Sequence, residues 1–189
     1  MLAALHNAVD TVVVKEIERL EPGPGDVVVK IRAEGICGSD LNQYHKLTEP
    51  ETIPAGHETA GEIVEVGEGV DPTRIGQRVA VEVVGHGKAC LTCWYCRQGH
   101  YRNCTDKGDY AGGGYAEYLT RTAVACYPLA DNLTWEEGAL VEPLAVSIRG
   151  FRRGALQGGD TVVVLGAGSI GLTTIAAARA LGAGKIIAT

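Results

Sequence analysis

Four cysteines, Cys90, Cys93, Cys96 and Cys104, stand in one short stretch, close enough for a single tetrahedral ion to gather all four thiolates at about 2.3 Å each. Such closure leaves no open coordination position, so the motif predicts a structural zinc with no chemistry of its own. So short a stretch reads as a loop folded about the ion. Disulfide pairs and an iron–sulfur cluster are the competing uses of the same thiols. The chain starts MLAALHNAVD, with no charged segment leading into an apolar run. It is therefore expected in the cytoplasm, where thiols stay reduced.

The residues before this loop read as short strands. From Val27 to Ala33, the side chains of Val27, Val29, Ile31 and Ala33 share one face and Val28, Lys30 and Arg32 the other, the period of a half-buried strand. Arg78 to Val83 repeats the pattern, and turn residues precede both runs, Pro22-Gly23-Pro24-Gly25 and Ile75-Gly76-Gln77. Strands this closely spaced predict a compact β-barrel. With 189 residues, 46% of them hydrophobic, the chain is expected to hold one full domain and part of a second. A net charge of −6 argues against nucleic acid as a partner, because a phosphate backbone selects Lys and Arg concentrated on one face. No run approaches the ~20 apolar residues that cross a bilayer, so no membrane partner is expected.

Beyond this point the signals turn helical. Thr134 with Glu137 forms a capping box ahead of Ala139-Leu140-Val141. Pro143 disfavours the helical conformation at Glu142, which predicts a break there and a second helix from Pro143 towards Phe151. Val162 to Leu165 is apolar without alternation, the pattern of a parallel strand buried on both faces. Gly166-Ala167-Gly168-Ser169-Ile170-Gly171 follows directly, then an Ala- and Leu-rich helix from Ile170 to Leu181 closed by Gly182. Lys185 to Thr189 reads as a second strand. In strand–turn–helix context, glycines admit a pyrophosphate to the backbone and the helix start offers unpaired N–H groups. Gly166, Gly168, Ser169, Ile170 and Gly171 are thus candidate cofactor-binding residues; a tight turn with no ligand is the plain alternative.

Further metal donors are scattered along the chain: Cys37 in Gly35-Ile36-Cys37-Gly38-Ser39-Asp40, His57 and Glu58 in Gly56-His57-Glu58, and Glu142 in Val141-Glu142-Pro143. A zinc that does chemistry takes about three protein donors and keeps one position open, and Cys, His and carboxylate are a suitable mixture. Singly, each has a blander reading: a buried Cys packs and a Glu before Pro caps a helix. Cys126 lacks a partner at ligand spacing and reads as core. Trp94 and Tyr95 read as packing that shields the four-cysteine ion, and Tyr44 and His45 as solvated loop residues, while His86, close to the four-cysteine loop, carries no assigned role.

In this order, GICGSD, GHETAGEIVEVGEGV, CLTCWYCRQGHYRNC, EPLAV and VLGAGSIG resemble the zinc-containing medium-chain dehydrogenases of the alcohol dehydrogenase superfamily, over essentially the whole chain. The resemblance implies a mixed α/β chain: a GroES-like β-barrel domain over residues 1–151, then residues 152–189 as the first βαβ portion of a Rossmann domain. It implies two zinc ions per chain, a structural one on Cys90, Cys93, Cys96 and Cys104 and a catalytic one on Cys37, His57 and a third ligand. EPLAV offers Glu142 where the alcohol dehydrogenase branch has a cysteine. This is similar to the sorbitol, threonine and butanediol dehydrogenases, in which that glutamate binds the metal directly or through water, with Glu58 as an alternative or second ligand.

The implied activity is hydride transfer between an alcohol or polyol CH–OH and NAD or NADP, the branch favouring NAD. The metal would lower the pKa of a substrate hydroxyl, Ser39 would receive its proton, Glu58 would assist, and hydride would pass to the nicotinamide. Asn42 stands where related enzymes carry a relay histidine, and an amide does not titrate. The acidic residue that binds a ribose about 20 residues past the fingerprint has no counterpart before Thr189, so the Rossmann unit is expected to be partial and the 189 residues alone inactive. A dimer or tetramer is expected of the full-length protein. Competing expectations are a same-family aldehyde or ketone reductase and a non-catalytic zinc module that binds a partner, the latter with one metal per chain.

Overall fold

The apolar run after Pro24 becomes the middle of a sheet in the computed structural model, which describes every residue except Leu47, Thr48, Asp109 and Ala111. Two compact units are present, Met1–Ala139 and Leu140–Thr189. In the first, β1 (Leu2–Ala8) and β2 (Thr11–Glu16) form an antiparallel hairpin. β3 (Asp26–Gly35), α1 (Gly38–Lys46), β4 (Glu58–Val66) and β5 (Arg78–Glu82) follow, then α2 (Trp94–Arg97), β6 (Tyr118–Thr122), β7 (Cys126–Pro128) and α3 (Trp135–Ala139). Five of the strands make one antiparallel sheet in the order β6-β3-β4-β5-β7.

The two edges of that sheet are consecutive in sequence, joined only by a 3₁₀ turn at Ala123–Ala125. Five flat strands would set the edges about 19 Å apart, whereas the four Cα–Cα steps from Thr122 to Cys126 span at most about 14 Å, so the sheet must roll. The expected barrel is therefore approached but not closed: β6 and β7 are bridged by the turn and not by a ladder. Val27, Val29, Ile63, Val79, Val81, Val83, Leu119 and Cys126 fill the interior. Cys126 is core, as expected. Val28, assigned to the outer face with Lys30 and Arg32, is instead fully buried outside that cluster; α3 packs against β3 and β4, so the second face is also partly covered.

Local chemistry sets the turns. The Thr134–Glu137 capping box forms, with Thr134 N donating to Glu137 Oε2 at 2.8 Å and Glu137 N to Thr134 Oγ1 at 3.1 Å. Tyr44 and His45 lie on α1 and not in a loop. They clamp the hairpin turn: Asp10 N donates to Tyr44 O (3.0 Å), Tyr44 Oη to Asp10 O (2.6 Å), and His45 Nδ1 sits 2.5 Å from Asp10 Oδ1.

In the second unit, α4 (Val141–Arg153), β8 (Thr161–Val164), α5 (Ser169–Ala180) and β9 (Lys185–Ala188) form one crossover, with β8 and β9 parallel. The sequence reading is corrected at Glu142: no break occurs there, and α4 runs from Val141 through Pro143, capped by Leu140. First-turn N–H groups have no intrahelical partner, so proline in that turn loses no hydrogen bond. The Ser147 hydroxyl, buried on α4, bonds Thr173 and Thr174 of α5 at 3.0 and 3.1 Å, which groups α4 with the later residues; the boundary read from sequence, 151 to 152, falls inside α4, whereas the compact division precedes that helix. β8 was expected to be buried on both faces, yet only Val164 is buried and Val163 is 56% exposed, because one partner strand is too little to cover it.

Candidate metal and cofactor sites

Glu82, the last residue of β5, launches the four-cysteine loop. Its carboxylate accepts the N–H groups of Val84, Gly85 and Gly87 at 3.2, 2.7 and 2.9 Å, turning the chain out of the sheet. At the far end Gly108 N donates to Lys88 O at 2.8 Å and closes the base. Between them the sulfurs of Cys90, Cys93, Cys96 and Cys104 all lie within 4.8 Å of one another, and all six cysteines of the chain are free thiols.

The donor set fits a tetrahedral thiophilic ion, and the loop's amides support it. Cys93 N donates to Cys90 Sγ at 3.4 Å, and Cys90 N and Asp106 N donate to Cys104 Sγ at 3.3 and 3.4 Å. Hydrogen bonds to sulfur favour thiolate, the ligating form. The backbone N–H of Thr105 helps bring Cys93 down to about 6, whereas burial pushes Cys96 up to about 12. Loading an ion must therefore displace protons. Trp94, 66% exposed, meets Tyr95 edge to face at 5.2 Å, while Cys96 and Cys104 are buried. His86 stacks on Tyr101 at 4.3 Å and bonds the Tyr127 hydroxyl at 2.9 Å.

The second cluster is assembled by strand register. β3 ends at Gly35, paired with Glu58 at the start of β4, which carries Cys37 and the His57–Glu58 pair to one corner. The donor atoms of Cys37, His57 and Glu58 lie within 4.8 Å of one another. Any Cβ at Gly35 would collide with the Glu58 carboxylate, so glycine is required there to admit the acid. Glu58 is buried, and burial raises its pKa, partly offset by His57. A cation beside these groups would relieve the penalty, and sulfur, imidazole and carboxylate together suit zinc. Glu142 lies in the first turn of α4, in the second unit; the three donors meet within the first unit alone. Ser39 is exposed in the first turn of α1, two residues from Cys37.

Two acids behind this corner have no role in the sequence reading. Asp40 Oδ2 accepts the Cys37 N–H at 2.9 Å and the Tyr115 hydroxyl at 2.7 Å, while Oδ1 lies 3.7 Å from His57 Nδ1. Glu34 accepts the Glu58 N–H at 3.0 Å and the Thr59 hydroxyl at 2.5 Å, and burial pushes its carboxyl up to about 7. A signal for Asp40 existed in the sequence: an acid three residues past an N-cap reaches back to the cap's N–H, and Cys37 is that cap.

In the second unit the glycine-rich turn has the expected form. Gly166 adopts φ +96°, Gly168 caps α5, and a Cβ at Gly171 would strike the Gly166 carbonyl. The α5 N-terminus thus stands clear behind a backbone that an anion can approach.

Residues 23–131 match the family model for the alcohol dehydrogenase GroES-like domain. Sorbitol dehydrogenase of Bombyx mori is 40% identical over 99% of this chain and 55% of its own length. Galactitol-1-phosphate dehydrogenase of Escherichia coli is similar in structure at TM-score 0.84 and 34% identity, over 100% of this chain and 55% of that one. Acetophenone reductase of Geotrichum candidum, solved in complex with NAD, gives TM-score 0.84 at 25% identity over 99% and 57%. The chain thus spans about half the length of the relatives it matches.

Proposed function

The chain belongs to the zinc-containing medium-chain dehydrogenases of the alcohol dehydrogenase superfamily, and on that premise we propose that it serves hydride transfer between an alcohol or polyol CH–OH and a nicotinamide cofactor, NAD in preference to NADP. The observation that carries this reading is the meeting of Cys37, His57 and Glu58 at one corner of the sheet. These three residues would hold a catalytic zinc. Cys90, Cys93, Cys96 and Cys104 hold a structural one. When bound, the catalytic ion supplies Lewis acidity that makes a hydroxyl acidic near neutral pH, and the nicotinamide supplies the hydride acceptor.

The protein's own residues do the rest. Ser39 takes the hydroxyl proton and passes it to solvent. The amides around Gly166, Gly168, Ser169, Ile170 and Gly171 receive the cofactor's pyrophosphate at the start of α5. The relatives named for sorbitol and for galactitol 1-phosphate point to a small polyol or its phosphate as substrate. A cytoplasmic setting suits both cysteine-containing sites, and the full-length protein works as a homo-oligomer, dimer or tetramer.

Metal content tests the reading. Atomic spectroscopy should give two zinc per chain in the wild type and one in Cys37→Ala; one in both would leave only a zinc-binding module. The 189 residues assayed alone should show no turnover, since the β8–β9 pair offers too small a platform for a dinucleotide, and ordinary alcohol oxidation by them would overturn that expectation.

A further inference from the structure

We infer that Tyr115 is a positioning residue for the mixed Cys–His–Glu site, acting through Asp40; the inference rests on that site being a metal site. Tyr115 is fixed by its backbone before its side chain is considered. Its N–H donates to Ala55 O at 2.9 Å, two residues before His57, and its carbonyl accepts Ala4 N at 2.8 Å. The hydroxyl donates to Asp40 Oδ2 at 2.7 Å, with Gly35 O more distant at 3.3 Å.

One carboxylate therefore touches two of the three proposed ligands. Oδ2 binds the Cys37 backbone and Oδ1 faces the His57 ring. A ring that presents Nδ1 to a carboxylate has Nε2 left for a metal, and such outer partners fix the tautomer and the ring plane. At 3.7 Å the Asp40–His57 contact is not a hydrogen bond; it has to shorten when His57 ligates. It can do so only if Asp40 is held while His57 turns.

Asp40 is buried, yet packing does not enclose it on every side. On one side Asp40 and Tyr115 border a cavity of about 330 Å³, whose other walls include Ile36, Leu41 and Val12 and the rings of His6 and Tyr44. The carboxylate therefore has room to swing away, and the Cys37 N–H and the Tyr115 hydroxyl are what prevent it. Removing the hydroxyl leaves one donor on Oδ2 and frees the rotation.

The test is cobalt binding by the 189-residue chain with the four-cysteine loop first filled with zinc, read from the visible absorption of the second, mixed site. Tyr115→Phe should weaken cobalt about 10-fold, and Asp40→Asn by about 10- to 100-fold, the range seen for outer-shell changes. The double variant should bind no more weakly than Asp40→Asn alone, because the tyrosine works through that carboxylate. Wild-type affinity in a folded Tyr115→Phe, or a full additional loss in the double variant, overturns the inference. So does a Tyr115→Phe protein that loses the zinc of the four-cysteine loop together with the cobalt, which marks a general structural role. A wild-type chain with no second metal at all would instead overturn the reading of the site itself.

Discussion

The two donor clusters of the first unit are built by opposite routes. The four sulfurs come from one loop whose ends are pinned by Glu82 and Lys88 and whose middle is held by short helical turns at Trp94–Arg97 and Tyr101–Asn103. Cys37, His57 and Glu58 come from the ends of paired strands, and the Gly35–Glu58 register brings them together. The expectation is that the loop, outside any sheet, depends on its ion for order, whereas strand pairing orders the corner in advance of a metal. The difference can be broken at four points.

The largest effect belongs to the loop. Cys96→Ala should abolish metal binding there, forfeiting roughly 10 kcal/mol of binding free energy, and should open the stretch around it to proteases while the far-UV spectrum of the sheet persists. A loop that stays protected without its ion would contradict the contrast. The next effect belongs to the corner and has a pH signature. Glu34, raised to about 7 from 4.5, holds a proton in the folded state that the unfolded chain has released. Metal-free stability should therefore fall as pH rises across that window, by at most about 3 kcal/mol. Urea unfolding at several pH values should show this slope in the wild type and lose it in Glu34→Gln.

Smaller still is Gly35→Ala, which displaces the Glu58 carboxylate and should weaken cobalt at the corner about 10-fold while sparing the loop's zinc. Smallest is the stability change in Cys37→Ala. The residue is only half-buried, so unfolding of the metal-free protein should shift by under about 1 kcal/mol although the corner metal is lost. A drop of several kcal/mol would mean that Cys37 is structural after all.

The same contrast explains what could be read from the chain alone. The loop was legible because its ligands are neighbours in sequence and thiols at that spacing have few other uses. So was the glycine turn, since φ +96° at Gly166 demands the residue that stands there. Cys37, His57 and Glu58 were legible only as a set, because strand register, which no single residue reports, makes them meet. Val28 was misjudged because a period of two reveals sides and not coverage. The break at Glu142 was misplaced because proline's cost vanishes in a first helical turn. Asp40 and Tyr115 went unassigned: one was hidden in a capping pattern, and the other lies far from it along the chain.

The β8–β9 pair carries a consequence for concentrated solutions of these 189 residues. Both strands are margins with a free row of backbone N–H and C=O groups, and Val163 and Ile187 lie exposed beside them at 56% and 41%. Such rows template strand addition from another molecule. Self-association by strand addition is thus open to the second unit, as it is to the β1–β2 hairpin of the first, where Val12 and Val14 lie exposed.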